Sequence, residues 1–208
     1  MRVLIADDHA IVRKGLVQLI REEFSDAEIH EASNGVEVLE KVKTGIWDVI
    51  LIDISMPGRS GLETLKQIRD FGVKAPVLVI SMHPEEQYAV RVLKAGASGF
   101  LNKDTATEEL INAIHKVLSG RKYISASMAE KLAEGFESTA ARPANELLSD
   151  REMQVLQLLS SGKTAGAIAE EISLSVNTIS TYRARILEKL NLANNAELMR
   201  YALDNGLV

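Results

Sequence analysis

Short apolar runs alternate with amphipathic helical patterns five times over the first 120 residues of the chain. Three of these runs read VLIA, VILI and VLVI, and such nearly continuous apolar runs are typical of strands buried on both faces of a sheet. The predicted strands are Arg2–Asp7, Ala27–Ala32, Asp48–Asp53, Pro76–Ser81 and Ser98–Asn102, and the predicted helices are His9–Glu22, Gly35–Lys43, Gly61–Phe71, Pro84–Ala95 and Thr105–Ser119.

The order of these units predicts the fold class of the first domain. Strands and helices that alternate with short connections form right-handed crossovers and a parallel sheet. Five such units in residues 1–120 predict an α/β domain with a flavodoxin-like, doubly wound (βα)5 fold. The ligand site of such a fold lies at the carboxyl ends of the strands.

The pattern changes after residue 120. Tyr123–Phe136 predicts one more amphipathic helix, and Glu137–Glu146 is small, polar and proline-containing, which predicts a flexible linker. Every periodic segment from Leu147 to Val208 is helical, so we expect a second, all-α domain of four helices. The predicted organisation is therefore 1–120, a helix and linker over 121–146, and a helical domain over 147–208.

The composition limits the classes of protein that fit this pattern. Hydrophobic residues make up 46% of the chain, which excludes a disordered protein. The absence of cysteine excludes disulfides and cysteine nucleophiles, and it fits a reducing cytoplasm. No apolar run approaches the roughly 20 residues of a membrane-spanning helix, and acids interrupt MRVLIADDHA too early for a secretory signal. The net charge of −5 argues against binding nucleic acid through bulk positive charge.

Polar residues follow four of the predicted strands. Asp7 and Asp8 end the first strand, Asp53 ends the third, Ser81 ends the fourth, and Lys103 follows the fifth. In a parallel sheet these side chains converge on one edge, where three carboxylates repel each other unless a cation intervenes. A site made only of oxygen ligands is better suited to Mg²⁺ than to zinc. With a lysine and a hydroxyl nearby, the arrangement is prepared for a carboxylate that receives a phosphoryl group.

These residues resemble the receiver domain of two-component response regulators over about residues 1–120. The resemblance implies that Asp53 accepts a phosphoryl group from the phosphohistidine of a partner sensor histidine kinase. It also implies that Ser81 bonds the phosphoryl oxygens and that Lys103 pairs with them. The matching residues are Asp7-Asp8, Asp53 followed by Met56-Pro57 and Gly61 (DISMPGRSG), Ser81 and Lys103.

The same resemblance implies a Mg²⁺ site and a switch. Asp8 would ligate Mg²⁺ directly, Asp7 mainly through water, and Ser55 through its backbone carbonyl, and Asp53 would belong to the same metal site. The switch would pair Ser81 with Phe100, the aromatic residue three positions before the lysine. Phenylalanine lacks the tyrosine hydroxyl, so this switch would work by packing alone.

His9 and His83 border the predicted site and raise the alternative of a transition-metal site. Because no third histidine borders this site and the chain has no cysteine, we favour a role for His9 in opening the first helix. Gly58 and Gly61, like Gly35, are interpreted as residues of backbone turns rather than of a phosphate-binding loop, since no nucleotide-binding glycine motif occurs.

The second domain begins with a helix-capping signal and contains a tight helical pair. Ser149 and Glu152 form the S-x-x-E pattern of a capping box. A predicted helix over Ala165–Ile172, a turn at Ser173–Ser175 and a longer helix over Val176–Leu190 indicate a helix-turn-helix.

A helical wheel divides the longer helix into a core face and an exposed face. Ile179, Ile186, Leu187 and Leu190 cluster on the core face. The face opposite this core carries short side chains and an arginine, a combination that fits the major groove of DNA. The same pattern also fits an ordinary solvated helix in a protein-binding bundle. Arg183 and Lys189 are better placed for phosphates. The exposed face carries Asn177, Ser180, Thr181, Ala184, Arg185 and Glu188.

The second domain resembles the LuxR/GerE-type DNA-binding domain over its whole length. The matches are the L-[ST]-x-R-E start, I-A-x-x-[IL], S-x-x-T-[IV] and the I-L-x-K-L close. The resemblance implies a helix-turn-helix at Ile168–Leu187 and a fourth, dimerising helix at Asn195–Asn205. Together with the resemblance of residues 1–120 to a receiver domain, it implies that the whole chain is similar to response regulators of the NarL/FixJ class. The residues that the fourth helix would offer to a partner are Leu198, Met199, Ala202 and Leu203.

Two departures from the family pattern affect the DNA contacts. Ala165-Gly166-Ala167 stands where Asn-Lys-Glu is frequent, which removes a phosphate-contacting lysine, and Gly166 weakens the helix by about 1 kcal/mol relative to alanine. Ser180 stands where lysine is common. The helical domain has a net charge of −1, whereas Val176–Leu190 carries +2. We therefore expect weak, salt-sensitive monomer binding that needs two copies to hold a site.

The sequence thus predicts a cytoplasmic transcription regulator, phosphorylated at Asp53, that binds double-stranded DNA as a homodimer. It predicts no enzyme with a turnover substrate. One alternative is an aspartyl phosphohydrolase, but Ser55 stands where such a site has a second aspartate. The other is a phosphorelay adaptor whose helical domain binds protein rather than DNA.

Overall fold

Five parallel strands form a single sheet in the first part of the chain, in the order β2-β1-β3-β4-β5. The computed structural model describes residues 1–82, 85–125, 128–129 and 147–207. This strand order is that of the doubly wound fold, with its reversal between β1 and β3. The strands are β1 Arg2–Ala6, β2 Glu28–Ala32, β3 Val49–Asp53, β4 Val77–Ser81 and β5 Gly99–Asn102, and the helices are α1 Ala10–Glu23, α2 Gly35–Thr44, α3 Gly61–Asp70, α4 Glu85–Lys94 and α5 Ala106–Leu118.

Both faces of the sheet are buried, as the apolar runs predict. Val3 and Ile5 of β1 lie in one core cluster with Leu16 and Ile20 of α1 and several residues of α5. Leu4 points to the opposite face and is also fully buried. The α1 and α5 helices therefore cover one face of the sheet, and the other face is covered as well.

The register of the sheet determines which side chains meet at its carboxyl edge. Ala6 pairs with Ile52 and Asp53 pairs with Ile80, so the first and third strands end side by side. Ser81 pairs with Asn102 at the end of β5. The residues that follow these strands therefore come together at one edge of the sheet.

The predicted helix over Tyr123–Phe136 starts too early. The backbone N–H of Tyr123 donates to the oxygen of Ser98 at 2.8 Å, and Tyr123 forms a parallel bridge with Gly99 at the edge of β5. Its ring is buried in the core beside α5, and this anchor outweighs the helical spacing. Met128 and Ala129 are helical. The rest of this helix and the linker Glu137–Glu146 lie outside the described residues.

Four helices make up the described part of the second region. Each begins at a side-chain cap, on Ser149, Thr164, Ser175 and Asn194 in turn. The capping box of Ser149 and Glu152 is present as predicted. The first of these helices contacts the other three. The helices are α6 Asp150–Ser160, α7 Ala165–Glu171, α8 Val176–Leu190 and α9 Asn195–Asp204.

The chain forms two compact units, Met1–Ser138 and Thr139–Val208. The division between them falls inside the segment Glu137–Glu146. Across the described ranges, none of the helices is both long and apolar enough to span a membrane.

Candidate functional sites

A buried lysine joins two buried carboxylates at the carboxyl edge of the sheet. Lys103 Nζ lies 2.8 Å from Asp53 Oδ2 and 2.6 Å from Asp7 Oδ2. Asp53 is 2% exposed and the Lys103 side chain 9%. The lysine follows β5 and both aspartates stand at the ends of strands, so the parallel sheet brings these predicted residues together.

Asp8 and His9 follow Asp7 and lie in one cluster with it and Asp53. His9 is the N-cap residue of α1, as predicted, and its ring Nδ1 lies 2.8 Å from Asp8 Oδ1 and 3.2 Å from Asp7 Oδ1. Ligand atoms of Asp7, Asp8, His9 and Asp53 all lie within 4.8 Å of one another. The half-exposed Asp8 carboxylate forms the open side of the cluster.

The remaining predicted residues of this site are Ser55, Ser81 and Phe100, which lie after β3, at the end of β4 and on β5. The backbone N–H of Ser55 donates to Asp53 Oδ1 at 3.2 Å. Ser81 is fully buried at the end of β4, and its carbonyl oxygen accepts the backbone N–H of Lys103 at 2.8 Å. Phe100 is buried on β5, so its ring is packed inside the domain in this structure.

The loop after Asp53 folds back across the end of its own strand. The backbone N–H of Gly61 donates to the oxygen of Ile54 at 2.9 Å. A Cβ atom at Gly61 would lie 2.0 Å from the backbone oxygen of Asp53, so only glycine allows this approach. Gly58 has a φ of +71°, which confirms its interpretation as a turn residue.

The electrostatics of the cluster favour an added cation. Burial raises the pKa of the Asp53 carboxyl, against the opposing effect of the Lys103 ammonium. Burial alone would lower the pKa of Lys103, but the carboxylates of Asp53 and Asp7 outweigh it and raise that pKa. The lysine therefore stays protonated, and one positive charge faces three carboxylates.

The donor set fits a divalent metal ion. Three carboxylates whose oxygens lie within 4.8 Å of one another leave a net negative charge after the lysine is counted. Carboxylate oxygen is the ligand that Mg²⁺ prefers. The cluster is therefore compatible with the predicted metal site.

The exposed face of α8 matches the predicted one. Ile179, Ile186 and Leu190 are buried in the domain. A groove of about 320 Å³ runs along the exposed side of the helix. Sequence reasoning missed Thr178 and Tyr182 of this groove, because the wheel places both at the margins of the exposed face. The groove is lined by Asn177, Thr178, Thr181, Tyr182 and Arg185, while Ser180, Ala184 and Glu188 are exposed on the same helix.

Two cations of α8 have partners inside the domain. Lys189 Nζ lies 2.6 Å from Glu152 Oε2 and donates to the oxygen of Leu147 at 3.3 Å. Burial alone would raise the pKa of Glu152, but Lys189 and the Ser149 cap hold that pKa below its usual value. Arg183 Nε donates to Asn195 Oδ1 at 2.5 Å. The wheel of a single helix cannot reveal partners on α6 and α9.

The prediction that four residues of α9 are available to a partner is wrong for two of them. Leu198 and Ala202 are buried inside the domain, on the helix that contacts α6. Met199 and Leu203 are 40% and 62% exposed. The domain is small and needs an apolar face from its last helix, so only the second pair is left for a partner.

Comparisons with known proteins find matches to both parts of the chain. Residues 3–115 match the family model described as response regulator receiver domain, and residues 146–202 match that of bacterial regulatory proteins, luxR family. Response regulator UvrY of Escherichia coli (strain K12) is 33% identical over 208 residues, covering 100% of this chain and 95% of the relative. Oxygen regulatory protein NreC of Staphylococcus carnosus (strain TM300) is 34% identical over 215 residues, covering 100% and 99%.

A solved structure with the same arrangement is RcsB from Salmonella enterica serovar Typhimurium, bound to promoter P1flhDC in the presence of the phosphomimetic BeF3−. Its TM-score is 0.59 at 26% identity, over 97% of each chain. The chain belongs to the two-component response regulators. Its receiver domain followed by a LuxR-type DNA-binding domain is the arrangement of the NarL/FixJ class, and it is a DNA-binding transcription regulator.

Proposed function

We propose that this response regulator is controlled by transfer of a phosphoryl group to Asp53 from a sensor histidine kinase, and that the phosphorylated protein binds DNA as a homodimer. The observation that carries the proposal is the position of Lys103 Nζ between the buried carboxylates of Asp53 and Asp7. A protonated lysine held there faces the carboxylate oxygens to which new negative charge would be added.

The chemistry is a phosphoryl transfer between two protein side chains. A carboxylate oxygen of Asp53 attacks the phosphorus of a phosphohistidine, the P–N bond breaks, and the released imidazole nitrogen takes up a proton. Lys103 pairs with the phosphoryl oxygens, and the Ser81 hydroxyl bonds them. This assignment of Ser81 and of a packing switch with Phe100 rests on the family resemblance.

A Mg²⁺ ion would be held by the carboxylates of Asp7, Asp8 and Asp53 and by the backbone carbonyl of Ser55. When bound, it supplies positive charge that offsets the carboxylates and the arriving phosphoryl group. The chain's own contribution is to bury Asp53, to keep Lys103 protonated beside it and to hold Asp8 at the open side of the cluster.

In the second domain we propose that α8 enters the major groove of DNA. Asn177, Ser180, Thr181 and Ala184 on its exposed face are short, so a base pair can approach the helix. Asn177 and the longer Arg185 would reach base edges. Arg183 stands at the margin of this face, where its remaining guanidinium nitrogens would contact a phosphate, whereas Lys189 is held by Glu152 and supports the helix from its end. Two copies would hold paired half-sites about one helical turn apart. The RcsB structure on a promoter supports this assignment by its similarity.

Two measurements on the full chain test the proposal. Intact mass after incubation with acetyl phosphate and Mg²⁺ should rise by one phosphoryl group in the wild-type protein and stay unchanged in Asp53→Ala. Selection from a random duplex pool should enrich one motif. A phosphoryl gain by Asp53→Ala would refute the assignment of the acceptor. A pool without enrichment, with or without the phosphodonor, would instead favour a protein partner for the helical domain.

A further inference from the structure

Arg13 connects the acidic cluster to the neighbouring strand. Its guanidinium Nη1 donates to the backbone oxygen of Asp7 at 2.6 Å, and its Nε donates to Glu31 Oε2 at 3.1 Å. The Arg13 side chain is only 16% exposed although it stands on the first turn of α1. Glu31 belongs to β2, which pairs with β1. The arginine therefore joins the first helix, the end of the first strand and the edge strand.

The backbone oxygen that Arg13 binds controls the direction of the next residue. The carbonyl of Asp7 and the nitrogen of Asp8 belong to one planar peptide unit. A hydrogen bond to this oxygen fixes the rotation of that plane, and with it the direction in which the Asp8 side chain leaves the backbone.

Asp7 itself is fixed by other groups. Its N–H donates to the oxygen of Ala32 at 3.3 Å, and its carboxylate accepts the backbone N–H of His9 at 2.7 Å and pairs with Lys103. The half-exposed Asp8 carboxylate pairs with the exposed His9 ring. The direction of the Asp8 side chain therefore depends more than that of Asp7 on the peptide plane that Arg13 holds.

We infer that Arg13, held by Glu31, is a positioning residue for the divalent-cation site. It keeps the Asp7–Asp8 peptide oriented so that both carboxylates converge on Asp53. The inference rests on the proposed function, because that function supplies the cation. A residue that merely braced α1 against the sheet would change the stability of the domain without changing its affinity for the ion.

The affinity of the full chain for Mg²⁺, measured by isothermal titration calorimetry without phosphodonor, separates the two roles. Arg13→Gln should raise the Mg²⁺ Kd about tenfold, since residues that orient metal ligands typically contribute factors of 10 to 100. Arg13→Lys, which keeps one donor, and Glu31→Gln, which removes the support, should give smaller rises. Arg21→Gln, in the last turn of the same helix, is the matched control and should leave the Kd unchanged.

Thermal unfolding of each variant, with and without Mg²⁺, gives a second readout. The rise in Tm on adding Mg²⁺ should shrink for Arg13→Gln and persist for Arg21→Gln. A wild-type Kd in Arg13→Gln overturns the inference. If Arg13→Gln does not fold, wild-type Kd values in both Arg13→Lys and Glu31→Gln overturn it. If the wild-type chain itself binds no Mg²⁺ and gains no phosphoryl group, the proposed function fails together with the inference. If the wild type does both and the Arg13 variants keep its Kd, only the inference about Arg13 fails.

Discussion

Lys189 at the end of α8 forms an ion pair with Glu152 at the start of α6, with 2.6 Å between Nζ and Oε2. The carboxylate is buried and also accepts the backbone N–H of Ser149 at 2.7 Å, so one glutamate caps its own helix and holds the end of another. The orientation of the proposed DNA-binding helix therefore depends on a residue outside the helix-turn-helix.

Removing the lysine should destabilise the second domain. In Lys189→Met the buried Glu152 carboxylate loses its charged partner, so we expect the free energy of unfolding to fall by about 2 kcal/mol. Urea denaturation of the full chain, followed by circular dichroism, measures this change. Lys163→Met is the matched control, because it breaks the exposed pair with Glu171, and it should cost about 0.5 kcal/mol or less. Equal losses in the two variants would contradict the structural role of Lys189.

The same pair predicts how the stability of this domain depends on pH. In the folded state Lys189 and the Ser149 cap hold the pKa of the Glu152 carboxyl below its ordinary value, so the unfolded state binds this proton more readily. The stabilisation is therefore present above pH 4.5 and is lost as the pH falls through the lowered folded pKa. Stability curves of the wild type and of Glu152→Gln should converge over this acidic range. A constant difference between them would show that the ionisation of Glu152 does not contribute.

The close approach of Gly61 to Asp53 predicts a large effect of one methyl group. In Gly61→Ala the new Cβ would collide with the Asp53 backbone oxygen, so we expect a loss of about 1–3 kcal/mol and slower phosphorylation as the strand end shifts. Gly15→Ala is the matched control, since nothing lies within 4 Å of its Cβ position in α1. It should stabilise the helix by up to about 1 kcal/mol. Denaturant unfolding measures the stability of each variant, and intact mass over time measures its rate of phosphorylation. If Gly61→Ala changes neither quantity, Gly61 does not lie against the Asp53 backbone oxygen.

The two pairs of apolar residues on α9 should respond differently to truncation. Leu198→Ala opens a cavity in the domain core and should cost about 2–5 kcal/mol. Leu203→Ala, at a position 62% exposed, should change the stability by less than about 0.5 kcal/mol and weaken only the binding of a duplex with two half-sites. Unfolding curves and DNA titrations against single and paired half-sites measure these effects. A similar loss of stability in both variants would contradict the assigned burial.

The regular elements could be predicted because burial on two faces leaves a simple pattern. Every strand and helix predicted for residues 1–120 agrees with the structure to within one residue at each end. The convergence of Asp7, Asp53 and Lys103 follows from the topology alone, since parallel strands end at the same edge. The capping box at Ser149 and Glu152 is a local signal and could also be predicted.

Interactions between distant elements could not be predicted in this way. The amphipathic pattern over Tyr123–Phe136 does not show that the ring of Tyr123 belongs to the core beside α5. A single wheel cannot show that Lys189 pairs with α6 or that Leu198 belongs to the core. The link from Arg13 to the Asp7 carbonyl involves a backbone atom, and no sequence pattern marks it.

The DNA affinity of the full chain before and after phosphorylation shows whether Asp53 controls the binding of DNA. The measurement is a fluorescence anisotropy titration of the duplex enriched from the random pool, with the extent of modification at Asp53 verified by intact mass. The phosphorylated wild-type protein should bind with a Kd about tenfold lower than the unphosphorylated protein, and treatment with the phosphodonor should not change the Kd of Asp53→Ala. Equal Kd values for the phosphorylated and unphosphorylated wild-type protein would show that phosphorylation of Asp53 does not control DNA binding.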